Sequence, residues 1–182
     1  LNTRSRDDSG NLAGGTAIAG VLQNTSGWAW SENIGWISFN CTDGGTCAGV
    51  DYGVHVDPSS GNFSGYAWSE NIGWIKFDPT GPYPEAPFTS ATLNLANNKV
   101  SGWARACAGA ANADCTGGTN PNSGGWDGWI KMRGTSPTYG VSWNPSTKEF
   151  AGFAWGSDVI GWLSFNCVDL GVCGTSSYKV IA

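Results

Sequence analysis

The sequence has one Met, one His and only 13% charged residues, with 9 Lys or Arg against 14 Asp or Glu. So few basic residues exclude nucleic acid as the main partner, because phosphate binding needs clustered positive charge. The single His, His55, and the lack of any obvious acid–base or metal grouping argue against common enzyme chemistry. No apolar run approaches the ~18 residues of a membrane-spanning helix. Helical periodicity is also missing, and Gly recurs too often for a stable helix. The chain begins at Leu1 with neither an initiator Met nor an apolar leader core. That is the expected look of a mature product after leader removal.

What is present in quantity is Gly (28), Trp (11) and six Cys, in 182 residues. A chain with 13% aromatics is not a disordered tail. Its length suits one domain, or two small ones, with a real core. The cysteines form three close pairs: Cys41 and Cys47, Cys107 and Cys115, Cys167 and Cys173. Gaps of five, seven and five residues, with His55 distant, fit local disulfides better than the tighter spacing of zinc ligands. Disulfides place the chain in an oxidising compartment, extracellular or at a cell surface.

An internal repeat organises the chain. Gly27 to Phe39 reads GWAWSENIGWISF, Gly65 to Phe77 reads GYAWSENIGWIKF, and Gly152 to Phe165 reads GFAWGSDVIGWLSF. A fourth copy is split: Gly102-Trp103-Ala104 opens it, Gly128 to Met132 closes it, and an insertion with Cys107 and Cys115 lies between. Upstream of two copies stand YGVHVD at Tyr52 to Asp57 and YGVSWN at Tyr139 to Asn144. A third version starts at Thr92, and only a weak one near Thr16. Each unit reads as strand, turn, strand, turn, strand, with Pro, Gly, Asn, Asp and Ser at the turns. The expectation is an all-β protein of about twelve strands in four three-stranded antiparallel repeats. The units are about 14–40, 50–79, 89–134 and 138–166, within a domain of 14–176. A polar segment, 1–13, precedes it. Whether the units form a sandwich, a propeller-like ring or a linear stack stays open.

Alternation puts Trp28, Trp30 and Trp36 on one face, with Ile37 and Phe39 on the other. Cross-strand pairing should set Trp30 beside Trp36. Both faces are then apolar, so either the Trp rows pack into a core or they are left for a partner.

The C-terminus is anomalous. The spacing from Cys167 to Tyr178 equals that from Cys41 to Tyr52, eleven residues, so the chain ends on the opening strand of a repeat that never follows. This extra strand, within 177–182, either completes the first unit of its own chain or pairs with a neighbour. Ser177, Tyr178, Lys179, Val180 and Ile181 are the expected assembly residues. The N-terminal stretch Leu1 to Leu12 is a second candidate donor.

At SENIGWISF and SENIGWIKF the chain resembles exported bacterial proteins with tandem aromatic repeats separated by short Cys loops. The resemblance covers most of 14–182 and implies compartment and architecture, without a mechanism. The third unit departs from it, with Arg105 at the second Trp position.

Glu32, Glu70 and Asp158 share a turn position and could in principle bind calcium or act as acids, but turns favour such residues anyway. Asn33 and Asn71 should bond within their own turns, with Gly35 and Gly73 at positive φ. His55 should be exposed. Asn24, Asn40 and Asn62 begin N-x-S/T sequons, a weak signal in so Asn-rich a chain. The expected function is a non-catalytic, cofactor-free structural protein that pairs strands with copies of itself in an extracellular filament. The alternative is a carbohydrate-binding or adhesive module using Trp28, Trp30, Trp36, Trp68, Trp74, Trp155 and Trp162, since sugar faces stack on such rings.

Overall fold

The computed structural model describes residues 22–182, so the polar N-terminal segment and the weak strand near Thr16 lie outside the described residues. The first motif folds as β1 (Leu22–Asn24), β2 (Ser26–Ser31) and β3 (Gly35–Ser38). The second gives β4 (Val54–Val56), β5 (Phe63–Ser69) and β6 (Gly73–Lys76). The third gives β7 (Thr92–Asn94), β8 (Lys99–Ser101), β9 (Trp103–Ala106) and β10 (Trp129–Lys131). After β11 (Arg133–Thr135), the fourth comprises β12 (Thr138–Asn144), β13 (Glu149–Trp155), the one-turn α1 (Ser157–Ile160) and β14 (Trp162–Ser164). β15 (Val180–Ile181) ends the chain.

The Trp motifs form four hairpins: β2–β3, β5–β6, β9–β10 and β13–β14. β3 pairs with β5, β6 with β9, β10 with β13, and β14 returns to β2. Eight antiparallel strands therefore close on themselves, which removes the open edges of a sheet. This is a barrel, and not the sandwich, propeller-like ring or linear stack considered from sequence. The three-stranded unit is also not uniform. β4 and β12 open the second and fourth motifs in that way, whereas the third opens with a separate β7–β8 hairpin.

The barrel interior follows from side-chain size. Ala29 faces Ile37, Ala67 faces Ile75, Ala104 faces Ile130 and Ala154 faces Leu163 across the strand pairs. All eight are essentially inaccessible to water. A small residue opposite a large one fills the narrow space of an eight-stranded barrel. Phe39, Phe77, Met132 and Phe165 form the next layer, and the Phe39 ring lies 5.3 Å from Phe77 and 5.5 Å from Phe165. The strands run three to seven residues around this apolar interior, whereas membrane-crossing barrels use longer strands and a polar interior.

Each motif glycine marks where its strand changes partners. Gly27, Gly65, Gly102 and Gly152 have φ between +85° and +98°. A Cβ at any of them would lie 2.0–2.2 Å from a carbonyl oxygen, of Lys179, Gly53, Ser90 and Gly140 in turn. Only glycine combines that φ with so close a backbone approach. Before the glycine the strand pairs with an opening strand: Gly65 sits opposite Val54 and Gly152 opposite Val141. Gly27 sits opposite Val180. β15 thus occupies, in its own chain, the opening-strand position of the first motif, with its other side on β13.

Three disulfides join Cys41 to Cys47, Cys107 to Cys115 and Cys167 to Cys173. The first and last close equivalent loops, in which Asn40 and Asn166 cap a 3-10 turn with Asp43 and Asp169 completing the capping box. Those carboxylates also accept from the motif glycines, Gly27 N–H to Asp43 and Gly152 N–H to Asp169, both at 2.7 Å. Disulfides fit an oxidising compartment. Among the described residues no helix is long and apolar enough to cross a membrane.

Candidate functional site

Because Ala, Ile and Phe fill the barrel, the Trp rows face outward. Trp30 pairs with Trp36 as expected, and Trp68 with Trp74 and Trp155 with Trp162 likewise. Their ring centroids are 4.5–4.8 Å apart. The Trp rows do not form the barrel's core: Trp36 and Trp162 are each 42% exposed, and Trp28, Trp30, Trp68, Trp74 and Trp155 are half-buried.

Each hairpin also receives a tyrosine from another segment. Tyr178 packs on Trp36, Tyr52 on Trp74, Tyr83 on Trp129 and Tyr139 on Trp162, at 4.9–5.4 Å between centroids. Sequence reasoning passed over Tyr52, Tyr83 and Tyr139. The signal for two of them was present, since Tyr52, Tyr139 and Tyr178 all stand two residues before a Val that faces a motif glycine. Tyr178 and Tyr52 act alike in a second way: each hydroxyl bonds a serine hydroxyl, Ser164 and Ser38 respectively, at 2.8 Å. Burial raises the Tyr178 pKa, and that of Tyr139 also.

The third hairpin is closed over. Trp103 and Trp129 are buried, and the Trp103 indole N–H donates to the carbonyls of Glu85 and Pro87. The four clusters are therefore not equivalent, as the departure at Arg105 foreshadows.

Closure of the barrel creates two neighbouring hollows on the outer face, each of about 630 Å³. One lies between the first and fourth hairpins, with Trp30, Tyr139, Trp155 and Trp162 as its aromatic walls and Glu32, Asn33 and Asp158 on its rim. The other shares Tyr139, Trp155 and Trp162 and extends past Trp103, Trp129 and Lys131. No second carboxylate near Glu32 was foreseeable from sequence, yet Asp158 lines the same hollow, because β14 returns to β2.

Asn33 and Asn71 do more than their turns require. Their side chains cross to the neighbouring hairpin, Asn33 to the Asp158 carbonyl at 3.0 Å and Asn71 to the Ile34 carbonyl at 2.9 Å. Gly35 and Gly73 have positive φ, as expected. Glu32, Glu70 and Asp158 are exposed, and His55 on β4 is half-buried rather than exposed. Asn40 is buried and bonded to Thr25 and Thr42, so its sequon is not accessible; Asn62 is exposed. Of the expected assembly residues, Ser177, Lys179 and Ile181 are exposed, while Tyr178 and Val180 are buried. Among the described residues no group of three or more His, Cys, Asp or Glu is placed to hold a metal ion. The outer face offers stacking surfaces and hydrogen-bonding rims. Comparison with family models, curated proteins and solved structures gives no match.

Proposed function

We propose that the protein is a non-catalytic extracellular structural subunit that assembles, by inter-subunit strand pairing, into a filament or surface layer. The observation that carries this reading is the position of β15. It follows the fourth motif in sequence, yet it fills the opening-strand slot of the first motif. Its bonds all run to distant elements: Trp28 N–H to the Lys179 carbonyl at 3.0 Å, Val180 N–H to Phe165 at 3.0 Å, and Ala182 N–H to Lys148 at 2.9 Å. Gly174 and Thr175, just before it, are exposed, and nothing would lie within 4 Å of a Cβ at Gly174.

The same slot exists on every copy. A β15 donated to a neighbour would make the same contacts it makes at home, so exchange costs little at equilibrium. Head-to-tail donation does not close on itself, and it therefore propagates. Burying Val180 and Tyr178 contributes about 1.5–3 kcal/mol each, enough to hold a junction and small enough to let it form. The disulfides and the packed barrel suit a part that must persist outside the cell.

The test uses Ser26→Cys with Ile181→Cys, which face each other across β2 and β15. Oxidised as a monomer, the pair should lock β15 at home and block assembly. Oxidised after assembly, it should give a ladder of covalent oligomers on a non-reducing gel. Electron microscopy showing only monomers from the unlocked chain would overturn the reading, as would filaments that form equally well from the locked chain.

A further inference from the structure

The outer face between the first and fourth hairpins carries chemistry that strand pairing does not use. We propose that the trough centred on Trp162 binds a neutral, linear oligosaccharide. Trp162 is 42% exposed, yet its ring is fixed by Trp155 at 4.8 Å and Tyr139 at 4.9 Å. It walls both hollows, together with Trp155, Tyr139 and Pro137. The two spaces therefore meet along one aromatic cluster and make an elongated trough on a closed barrel. That shape suits a chain of rings better than a single small molecule.

The lining matches what a sugar presents. The C–H face of a pyranose needs a flat apolar platform, and an indole supplies one without further ordering. Its hydroxyls need polar partners around the perimeter, in the usual pattern of an apolar site with a few placed polar groups. Glu32, Asn33 and Asp158 line the first hollow, and Glu85, Asp127 and Ser157 the second.

Charge and polarity argue against other occupants. The first hollow is lined by two carboxylates and by no Lys, Arg or His. In the second, Lys131 is already paired with Glu85. A polyanion would meet a negative wall. A fatty chain would leave carboxylates and the Asn33 amide against hydrocarbon. A quaternary ammonium ion fits aromatic rings beside carboxylates, but it would fill only a fraction of the trough.

The protein holds its own control. Trp36 stands at the same place in the first hairpin as Trp162 in the fourth, with the same 42% exposure and its own partners Trp30 and Tyr178. It lines neither hollow.

The experiment titrates the full chain with cello-, manno- and chito-oligosaccharides of increasing length, read by calorimetry and tryptophan fluorescence. Oligogalacturonate and choline are the comparison probes. Affinity for at least one neutral series should rise with chain length. Trp162→Ala should weaken it by about tenfold or more, and Trp36→Ala by less than about twofold. Thr138→Arg, at an exposed position on the trough wall, should block binding without touching the core, which covers the case in which Trp162→Ala does not fold. Failure of every neutral series to bind would overturn the proposal. So would equal losses in the two Trp variants, binding that survives Thr138→Arg, or a preference for oligogalacturonate or choline.

Discussion

The guanidinium of Arg105 lies 4.6 Å from the ring centroid of Trp129, and Trp30 lies 4.6 Å from Trp36 at the matching place in the first hairpin. Arg105 opposes Trp129 across the strand pair as Trp30 opposes Trp36. A cation has thus taken the place of a ring at the same distance from the facing indole. The substitution is tied to the insertion that follows. Arg105 is 1% exposed and donates to the carbonyls of Asp127, Gly117 and Gly118 at 2.7–2.9 Å, and to that of Cys115 at 3.3 Å. Burial pushes its pKa down, with Asp127 opposing the shift. A guanidinium still remains charged.

Arg105→Ala should therefore cost about 3 kcal/mol, since several carbonyls lose their donor at once. For a chain of this size that is a drop in Tm of roughly 6–12 °C. Arg105→Trp restores the residue found in the other hairpins but has a single N–H for the four carbonyls that Arg105 serves, so it should lose a similar amount. Lys should fall between, as one ammonium cannot reproduce the planar fork. Thermal unfolding of the three variants measures this. A stable Arg105→Trp would mean the insertion holds itself.

Gly27→Ala and Gly65→Ala make a matched pair. Both positions have φ near +90°, and both would drive a Cβ into a carbonyl, of Lys179 and Gly53 respectively. Strain alone costs about 1–3 kcal/mol, and the contact adds to it. Gly65→Ala strains β5 against β4, which is fixed in the chain on both sides. Gly27→Ala strains β2 against β15, which pairs with it over two residues, against three for β4 and β5. The first should lower Tm throughout. The second should mainly loosen β15, seen as lower amide protection at Val180 with a smaller change in Tm.

The hairpins are legible in the repeated motif itself. A four-residue tie between Trp30 and Gly35 leaves one natural register, and Trp30 meets Trp36 in it. Which face points inward was not legible, because Ile37 and Phe39 are no more apolar than the Trp row behind them. Size decided it: Ala and Ile alternate to fill a narrow barrel, and indoles do not fit there. Closure was not legible either. β14 meets β2 through Leu163 and Ser31, and no local pattern announces a contact that distant. The trough inherits that limit, since Asp158 and Glu32 come together only when the barrel closes. The C-terminal strand was legible from its spacing to Cys167, because β15 is a repeat element found out of place.

The hold on β15 should weaken at both ends of the pH range. Lys179 donates to Glu149, tying β15's neighbourhood to β13 and lowering the Glu149 pKa, with Asn166 assisting. A carboxylate lowered by folding contributes stability above its unfolded value, and that contribution is lost as pH falls through the folded value. Tyr178 has the opposite sense. Burial raises its pKa, so its contribution is complete below the unfolded value, near about 10, and is lost as pH rises through the folded one. Protection of the Val180 amide, measured against its intrinsic exchange rate at each pH, should fall in acid and again in alkali. Glu149→Gln should remove the acid limb and Tyr178→Phe the alkaline limb. Protection that stays constant across both ranges would show that backbone pairing alone holds the strand.

Removing single disulfides should rank the three loops. In the chain-entropy description, closing so short a loop stabilises by about 2 kcal/mol, with little difference between six- and eight-residue separations. The surroundings differ more. Cys41 and Cys167 lie in loops already held by a capping box and by the Asp43 and Asp169 bonds to motif glycines. The Cys107–Cys115 loop has no side-chain cap on its 3-10 turn, and the Cys115 carbonyl is one of the acceptors of Arg105. Cys115 is also fully buried. Replacing Cys107 and Cys115 with Ser should therefore cost more than replacing Cys41 and Cys47, whose loop keeps its capping box and the Asp43 bond to Gly27. It should also loosen Arg105, which bonds the insertion and packs on Trp129, giving a shift in tryptophan emission that the Cys41/Cys47 variant lacks. Equal losses in Tm with no such shift would mean that Arg105 holds the insertion closed without its disulfide.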